Sequence, residues 1–412
     1  MNLAERIYMV GVGGIGMSAL AQLLAHRAAV VSGSDRESSP TTELLAEKGI
    51  TVTIGAGELP ENAELLIYSD AVPPTDPARS EAAKRGIPEL SYFEALGEIS
   101  RDMKTVAVAG THGKTTTTGM LAHTLADCGA SPTAIVGSIV RDFPGQSGGS
   151  NFLAGSGNIF VVEACEYRDH LLKLTPTILV ITNLELDHTD YFPDLGALQA
   201  SFKKAVEKVP ENGVIVTDPA HPHIAPLLGG ARARIVDYTK KAIGQLRLIG
   251  EFNRMNARAA LAAAEAAYPG LSLEAAVRSL ADFKGSWRRF EYKGTTPLGA
   301  LVYDDYAHHP AEISATLTAI RETFPDKRIV VAFHPHTFSR TRAFLQEFGS
   351  ALALSYETIV APIYAAREPD DPATTNAVLA EVVRRYGGSA IALNSFDLIR
   401  ERLLSYDDRH LI

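Results

Sequence analysis

Only two cysteines, Cys128 and Cys165, occur in 412 residues. Their wide separation excludes a disulfide-stapled scaffold and reads as two reduced, cytosolic thiols. No apolar run is long enough to span a bilayer. Basic residues are in deficit: 39 Lys and Arg stand against 48 Asp and Glu, a net charge of −9. With no basic block to track a phosphodiester backbone, no nucleic-acid partner is expected. Low-complexity tracts and internal repeats are absent. Near the start, Glu5 and Arg6 precede a glycine cluster where an export signal would need unbroken apolar residues. What remains is a cytoplasmic α/β enzyme of two or three cores, with 46% apolar residues.

The richest stretch is Val106-Ala-Val-Ala-Gly110-Thr111-His112-Gly113-Lys114-Thr115-Thr116. A β-branched run ends in two glycines, a lysine and a row of hydroxyls, and a helical pattern follows. That order builds a strand, a phosphate-cradling loop and a helix whose N-terminus faces the anion. Lys114 supplies a point charge and Thr115 a hydroxyl for Mg²⁺, so ATP binding is expected. The spacing departs from the usual P-loop, which would place a glycine at Val108; here it stands at Gly110. A tight strand-to-helix turn without a ligand is the plainer reading, and the Gly-Lys-Thr-Thr run weighs against it.

A second glycine turn lies at the start. Gly11, Gly13 and Gly16, with Gly14 between them, fit G-x-G-x-x-G after the strand Arg6–Val10 and before a helix at Met17. Asp35 ends the next strand, Val30–Asp35, as in a dinucleotide fingerprint. The loop implies a diphosphate on a helix N-terminus without naming the ligand, and a nicotinamide dehydrogenase remains open on these residues alone.

Strands alternating with helices predict doubly wound parallel sheets. The polar stretch Gly97–Lys104 sets a first boundary, giving segments 1–100, 101–286 and 287–412. The second holds the predicted strands Ile159–Glu163 and Thr177–Thr182 and an Ala-rich helix over Arg254–Ala267; the third holds strands at Ala300–Tyr303, Arg328–Phe333 and Glu357–Ala361.

Ligands gather outside the carboxyl ends of parallel strands. Glu163, with Glu166 a short step beyond, and Asn183 with His188 follow two such ends, so Glu163, Asn183 and His188 are expected in one region with Lys114 and Thr115. Thr115 and Glu163 suit a hard cation, and His188 a second ion. His308, His309, His334 and His336 could bind zinc, but no cysteine pair or H-E-x-x-H context supports them.

Taken together, these motifs resemble the Mur ligase family of ATP-dependent amide-forming enzymes. They are Gly110-Thr-His-Gly-Lys-Thr115, Glu163-Ala-Cys-Glu166, Thr182-Asn183 to Asp187-His188, and Asn253-Arg-Met-Asn256. Gly11 to Ser18, Ser32 to Asp35, Ser286-Trp-Arg-Arg-Phe-Glu291, Asp304 to Pro310 and Pro335 to Thr341 resemble its alanine-adding branch. The resemblance implies a Rossmann-like N-terminal domain for a UDP-sugar, a central P-loop ATPase-type domain and an α/β C-terminal domain. It implies an ADP-forming ligase using ATP and Mg²⁺ to join L-alanine to UDP-N-acetylmuramate, with Lys114, Glu163, His188 and Arg340 central to the reaction. Gly11, Gly13, Gly14, Gly16 and Asp35 would serve the UDP-sugar, which removes the need for a nicotinamide. Asn253 and Asn256 would lie near adenine, Asp304 or Asp305 near the nucleotide, and His336 and Arg340 at the amino acid, where a guanidinium clamps a carboxylate. Two rivals are a peptide-recycling ligase within the same family and, from a different class, a non-catalytic UDP-sugar-binding protein.

Three departures stand out. Phe252 and Thr337 replace residues commonly His and Arg in the family. The short strand and Gly-Ala-Gly-Asp-like turn expected near the end of the third domain are not legible before His410-Leu-Ile412. Some relatives bridge their metals with a carbamylated lysine; Lys203 and Lys204 lie in that region, and neither takes the role from the sequence.

Overall fold

Alternating β-branched runs and helices close into three sheets in the computed structural model, which describes residues 3–145, 148–366 and 368–412. The first sheet contains β1 (Arg6–Val10), β2 (Val30–Asp35), β3 (Thr51–Ile54), β4 (Leu65–Tyr68) and β5 (Glu89–Ser91). Its order is β3-β2-β1-β4-β5, parallel throughout. The glycine turn leaves the carboxyl end of β1, where the strand order reverses, the usual crevice for a ligand.

The second sheet contains β6 (Lys104–Ala109), β7 (Thr133–Val140), β8 (Ser150–Leu153), β9 (Ile159–Glu163), β10 (Ile178–Ile181), β11 (Val214–Thr217) and β12 (Arg234–Asp237). Its order is β12-β11-β10-β6-β9-β7-β8, and β8 alone runs antiparallel, against β7. β6 is therefore central, flanked by β10 and β9. Val106, Ala107, Val108 and Ala109 are buried on both faces, which explains the unbroken apolar run.

The third sheet contains β13 (Glu291–Thr295), β14 (Leu301–Asp304), β15 (Arg328–Phe333), β16 (Glu357–Val360), β17 (Ala390–Ala392) and β18 (His410–Leu411). Its order is β13-β14-β18-β15-β16-β17, with β13 antiparallel to β14. β18 corrects the sequence reading: a closing strand is present, between β14 and β15. Two residues are too few for a period-2 pattern, so only pairing reveals it. The predicted Ala-rich helix also begins earlier, at Glu251.

The chain forms two compact units. One comprises Met1–Leu184, Gln199–Arg247 and Met255–Ser286, and the other Glu185–Leu198, Leu248–Arg254 and Trp287–Ile412. The first two sheets thus share one unit. Asn151 on β8, fully buried, links them: its Nδ2 donates to Ile15 O (2.5 Å) and Ser18 Oγ (3.0 Å), and its Oδ1 accepts from Gln22 Nε2 (3.2 Å). The second unit packs Phe348, Leu352, Val360, Leu379 and Val383 around the third sheet. Among the described residues, no helix is long and apolar enough to cross a membrane.

Candidate active site

β6 runs through Val108 to Ala109, so the loop that follows is only Gly110 to Gly113 before the helix Lys114–Asp127. Strand continuity is thus the reason the expected glycine is missing at Val108. Gly113 has φ +79°, and a Cβ there would strike Asn256 Oδ1; no other residue fits both demands. Asn183, just past β10, clamps the loop. Its Oδ1 accepts from His112 N (2.8 Å), its Nδ2 donates to His112 O (3.0 Å), and its backbone O accepts from Thr111 N (3.3 Å). Thr182 Oγ1 also donates to His112 O (2.6 Å). Thr111, Thr115 and Thr116 are buried around it.

Lys114 Nζ donates to Gly110 O (2.6 Å), Thr111 O (3.0 Å) and Glu166 Oε1 (3.1 Å). Burial alone would lower its pKa, but Glu166, Cys165 and Glu163 outweigh that and hold it as an ammonium. Burial and Glu166 push the Cys165 thiol up to about 12, so it is a protonated packing group. Thr115 Oγ1 lies 3.1 and 3.0 Å from the two oxygens of Glu163, whose Oε2 accepts from Gly137 N (2.9 Å). Hydroxyl and carboxylate therefore converge at the loop as hard oxygen donors, a set that fits Mg²⁺.

Gly137 and Glu166 are contributors for which the sequence reading proposed no function. A glycine inside the run Thr133–Val140 was the available signal, since it marks close approach of a neighbour. A Cβ at Gly137 would stand 2.7 Å from Glu163 Oε2.

At the first sheet, Gly11 turns with φ +77°, and Gly14 begins the helix Ile15–His26 with no side-chain cap. Gly13 N donates to Asp35 Oδ2 (2.8 Å), and Gly13 O accepts from Thr41 Oγ1 (2.5 Å). Gly16 packs against the Tyr92 ring. The helix N-terminus thus retains backbone donors for an anion.

In the second unit, Arg340 lies on the short helix Phe338–Ala343, whose N-cap is Thr337. Thr337 Oγ1 accepts from Arg340 N (3.4 Å), which gives this departure from the family pattern a capping role. Arg340 Nε and Nη2 donate to Asp187 Oδ1 at 3.2 and 3.0 Å, and Nη1 stands 3.5 Å from His336 Nδ1. Burial would raise the Asp187 pKa, but Arg340 and His188 overcome it and hold the carboxyl well below the ordinary range. Burial and Arg340 lower the His336 pKa. His188, in a left-handed conformation (φ +53°), belongs to this unit and donates its N–H to Asp187 Oδ1 (2.7 Å). Lys114, Thr115, Glu163 and Asn183 are brought together in the first unit, whereas His188 is grouped with Arg340 and His336.

Asn256 belongs to the first unit and accepts from Thr117 Oγ1 (3.2 Å). Asn253, one turn earlier, is counted with the second and donates to Ile249 O (2.8 Å). Asp304 pairs with Arg288 Nε at 3.1 Å. Asp305 accepts from Phe290 N (2.8 Å) and Ala307 N (2.7 Å), so it organises the Trp287–Glu291 segment. The remaining histidines have local partners. His308 Nδ1 lies 2.9 Å from Tyr306 O, His309 caps the helix Pro310–Thr323, and His334 sits edge-on to Tyr364 and Phe396. Lys203 and Lys204 are exposed on the helix Leu195–Lys208.

Three family models match in series. They are described as Mur ligase family, catalytic domain (residues 6–104), Mur ligase middle domain (108–244) and Mur ligase, glutamate ligase domain (288–409). The chain is 39% identical to a UDP-N-acetylmuramate–L-alanine ligase of Salinibacter ruber, covering 94% of this chain and 86% of that protein. It is 36% identical to one of Chlorobium luteolum, over 95% and 88%. The crystal structure of a UDP-N-acetylmuramate-alanine ligase from Thermotoga maritima superposes with a TM-score of 0.80 at 26% identity, covering 98% and 94% of the two chains.

Proposed function

Because this chain belongs to the Mur ligase family, we propose that it joins L-alanine to the lactyl carboxylate of UDP-N-acetylmuramate, with ATP cleaved to ADP. The observation that carries the reading is the phosphate loop with charged Lys114 at its end and Thr115 against Glu163. A nicotinamide dehydrogenase leaves those three residues without a task. In our reading the domains are 1–100, 101–286 and 287–412, and the enzyme acts in the cytoplasm.

The lactyl carboxylate attacks the γ-phosphorus of ATP, giving an acyl phosphate and ADP; the alanine amine then attacks the acyl carbon and phosphate leaves. Lys114 leaves its loop carbonyls for the phosphates and offsets charge on the transferring group. The loop N–H groups and helix N-terminus hold the phosphates, with Gly110 to Thr116 as the cradle. Thr115 and Glu163 would hold Mg²⁺, which would supply further charge neutralisation, and His188 would serve a second ion. Asn253 and Asn256 carry amide edges suited to adenine, and Asp304 serves the nucleotide from the third domain. Gly11, Gly13, Gly14, Gly16 and Asp35 form the UDP-sugar turn. His336 and Arg340 receive the amino acid. No side chain acts as a covalent nucleophile, and positioning dominates.

ADP release in the presence of UDP-N-acetylmuramate, screened over single amino acids, tests the assignment. L-Alanine is expected to support the fastest release. Turnover with a preformed peptide and none with any single amino acid would instead assign the recycling reaction.

A further inference from the structure

We infer that Asp187 is a positioning residue for Arg340, holding one edge of the guanidinium so that the other edge meets the carboxylate of the amino-acid substrate. The inference rests on the reading of Arg340 as the amino-acid clamp. A guanidinium presents two forks to an anion, the side edge formed by Nε and Nη2 and the end edge formed by Nη1 and Nη2. Asp187 takes the side edge through one oxygen, Oδ1, at 3.2 and 3.0 Å. The end edge faces His336, whose Nδ1 is 3.5 Å from Nη1. A carboxylate binding Arg in two parallel N–H···O bonds uses such a fork, so Asp187 and substrate need not compete for the same edge.

The holder is itself held. His188 N donates to Asp187 Oδ1 at 2.7 Å; Asp187 is buried and Arg340 largely covered, with side chains 7% and 12% exposed. Thr337 caps the backbone of Arg340 from the other side. A long side chain with several rotatable bonds is thus fixed at root and tip before substrate arrives, which lowers the ordering entropy that binding must offset.

Simple electrostatics predicts the opposite sign, which makes the test sharp. Removing an anion beside an anion-binding site should tighten L-alanine binding; removing a positioning residue should weaken it. Steady-state kinetics at saturating ATP and UDP-N-acetylmuramate measure this directly. Asp187→Ala is expected to raise the KM for L-alanine about tenfold, with kcat changed far less and the KM for ATP and the Mg²⁺ requirement unchanged. Asp187→Asn, which keeps an acceptor at Oδ1, should recover most of the loss. Asp187→Glu, which keeps the charge but moves it by one methylene, should not, and it carries the test if the alanine variant fails to fold. In an Arg340→Ala background, Asp187→Ala should add less than about twofold, because the two act as one unit. A KM that falls or stays constant in Asp187→Ala, while Arg340→Ala raises it, overturns the inference alone. Equal increments in both backgrounds also overturn it. An unchanged KM in Arg340→Ala itself overturns the clamp reading beneath it.

Discussion

The backbone N–H of Gly13 donates to Asp35 Oδ2 at 2.8 Å, so the acid ending β2 braces the glycine turn of β1. A hydrogen bond to a charged group contributes about 1.5–3 kcal/mol, or roughly ten- to a hundredfold in affinity. Asp35→Ala is expected to weaken UDP-N-acetylmuramate binding by that factor and to leave ATP affinity unchanged. Calorimetric titration of each ligand checks it, and equal losses for both would mean a general folding defect.

Lys114→Ala should abolish ADP release while UDP-sugar binding stays nearly intact. Among the described residues the lysine donates hydrogen bonds to Gly110, Thr111 and Glu166, and the glycine turn belongs to a different sheet. Turnover within a few-fold of the parent would remove the loop from the ATP site.

Gly137→Ala tests the metal shell without touching a donor atom. The added methyl would stand 2.7 Å from Glu163 Oε2, so the carboxylate must shift away from Thr115. The Mg²⁺ concentration for half-maximal activity should rise several-fold, and Glu163→Ala should raise it further. An unchanged Mg²⁺ titration in both variants would exclude Glu163 as a ligand.

Arg340→Ala should raise the KM for L-alanine roughly ten- to a hundredfold, the worth of a charge-assisted pair. L-Alaninamide lacks the carboxylate, so it should be a poor substrate for the parent and lose far less in the variant. Arg340→Lys should restore only part, because an ammonium has no fork. Equal losses with alanine and alaninamide would make Arg340 structural.

Asn151→Ala should destabilise the first unit. It removes one hydrogen bond each from Ile15 O, Ser18 Oγ and Gln22 Nε2, which keep the Ser18 Oγ–Ile15 O and Gln22 Nε2–Ser18 O bonds. Each hydrogen bond lost from such a network costs about 0.5–1.5 kcal/mol. A lowered melting temperature is expected, and an unchanged one would mean that water replaces the amide.

Local chemistry settled much of this protein in advance. β1, β2 and β15 begin and end where the sequence places them, and the loop between Gly110 and Lys114 follows from glycines and a lysine after a buried strand. Those features depend on a residue and its near neighbours, so the sequence by itself determines them. It also carried the family, because the motifs from Gly11 to Thr341 are jointly specific. The structure alone decided what those residues touch. Gly137 reaches Glu163, and Asp187 reaches Arg340 across 153 positions. β18 becomes a strand only because β14 and β15 leave a slot for it. Such contacts join residues far apart in the chain, and their energy comes from burial and pairing that exist only once the sheets have formed.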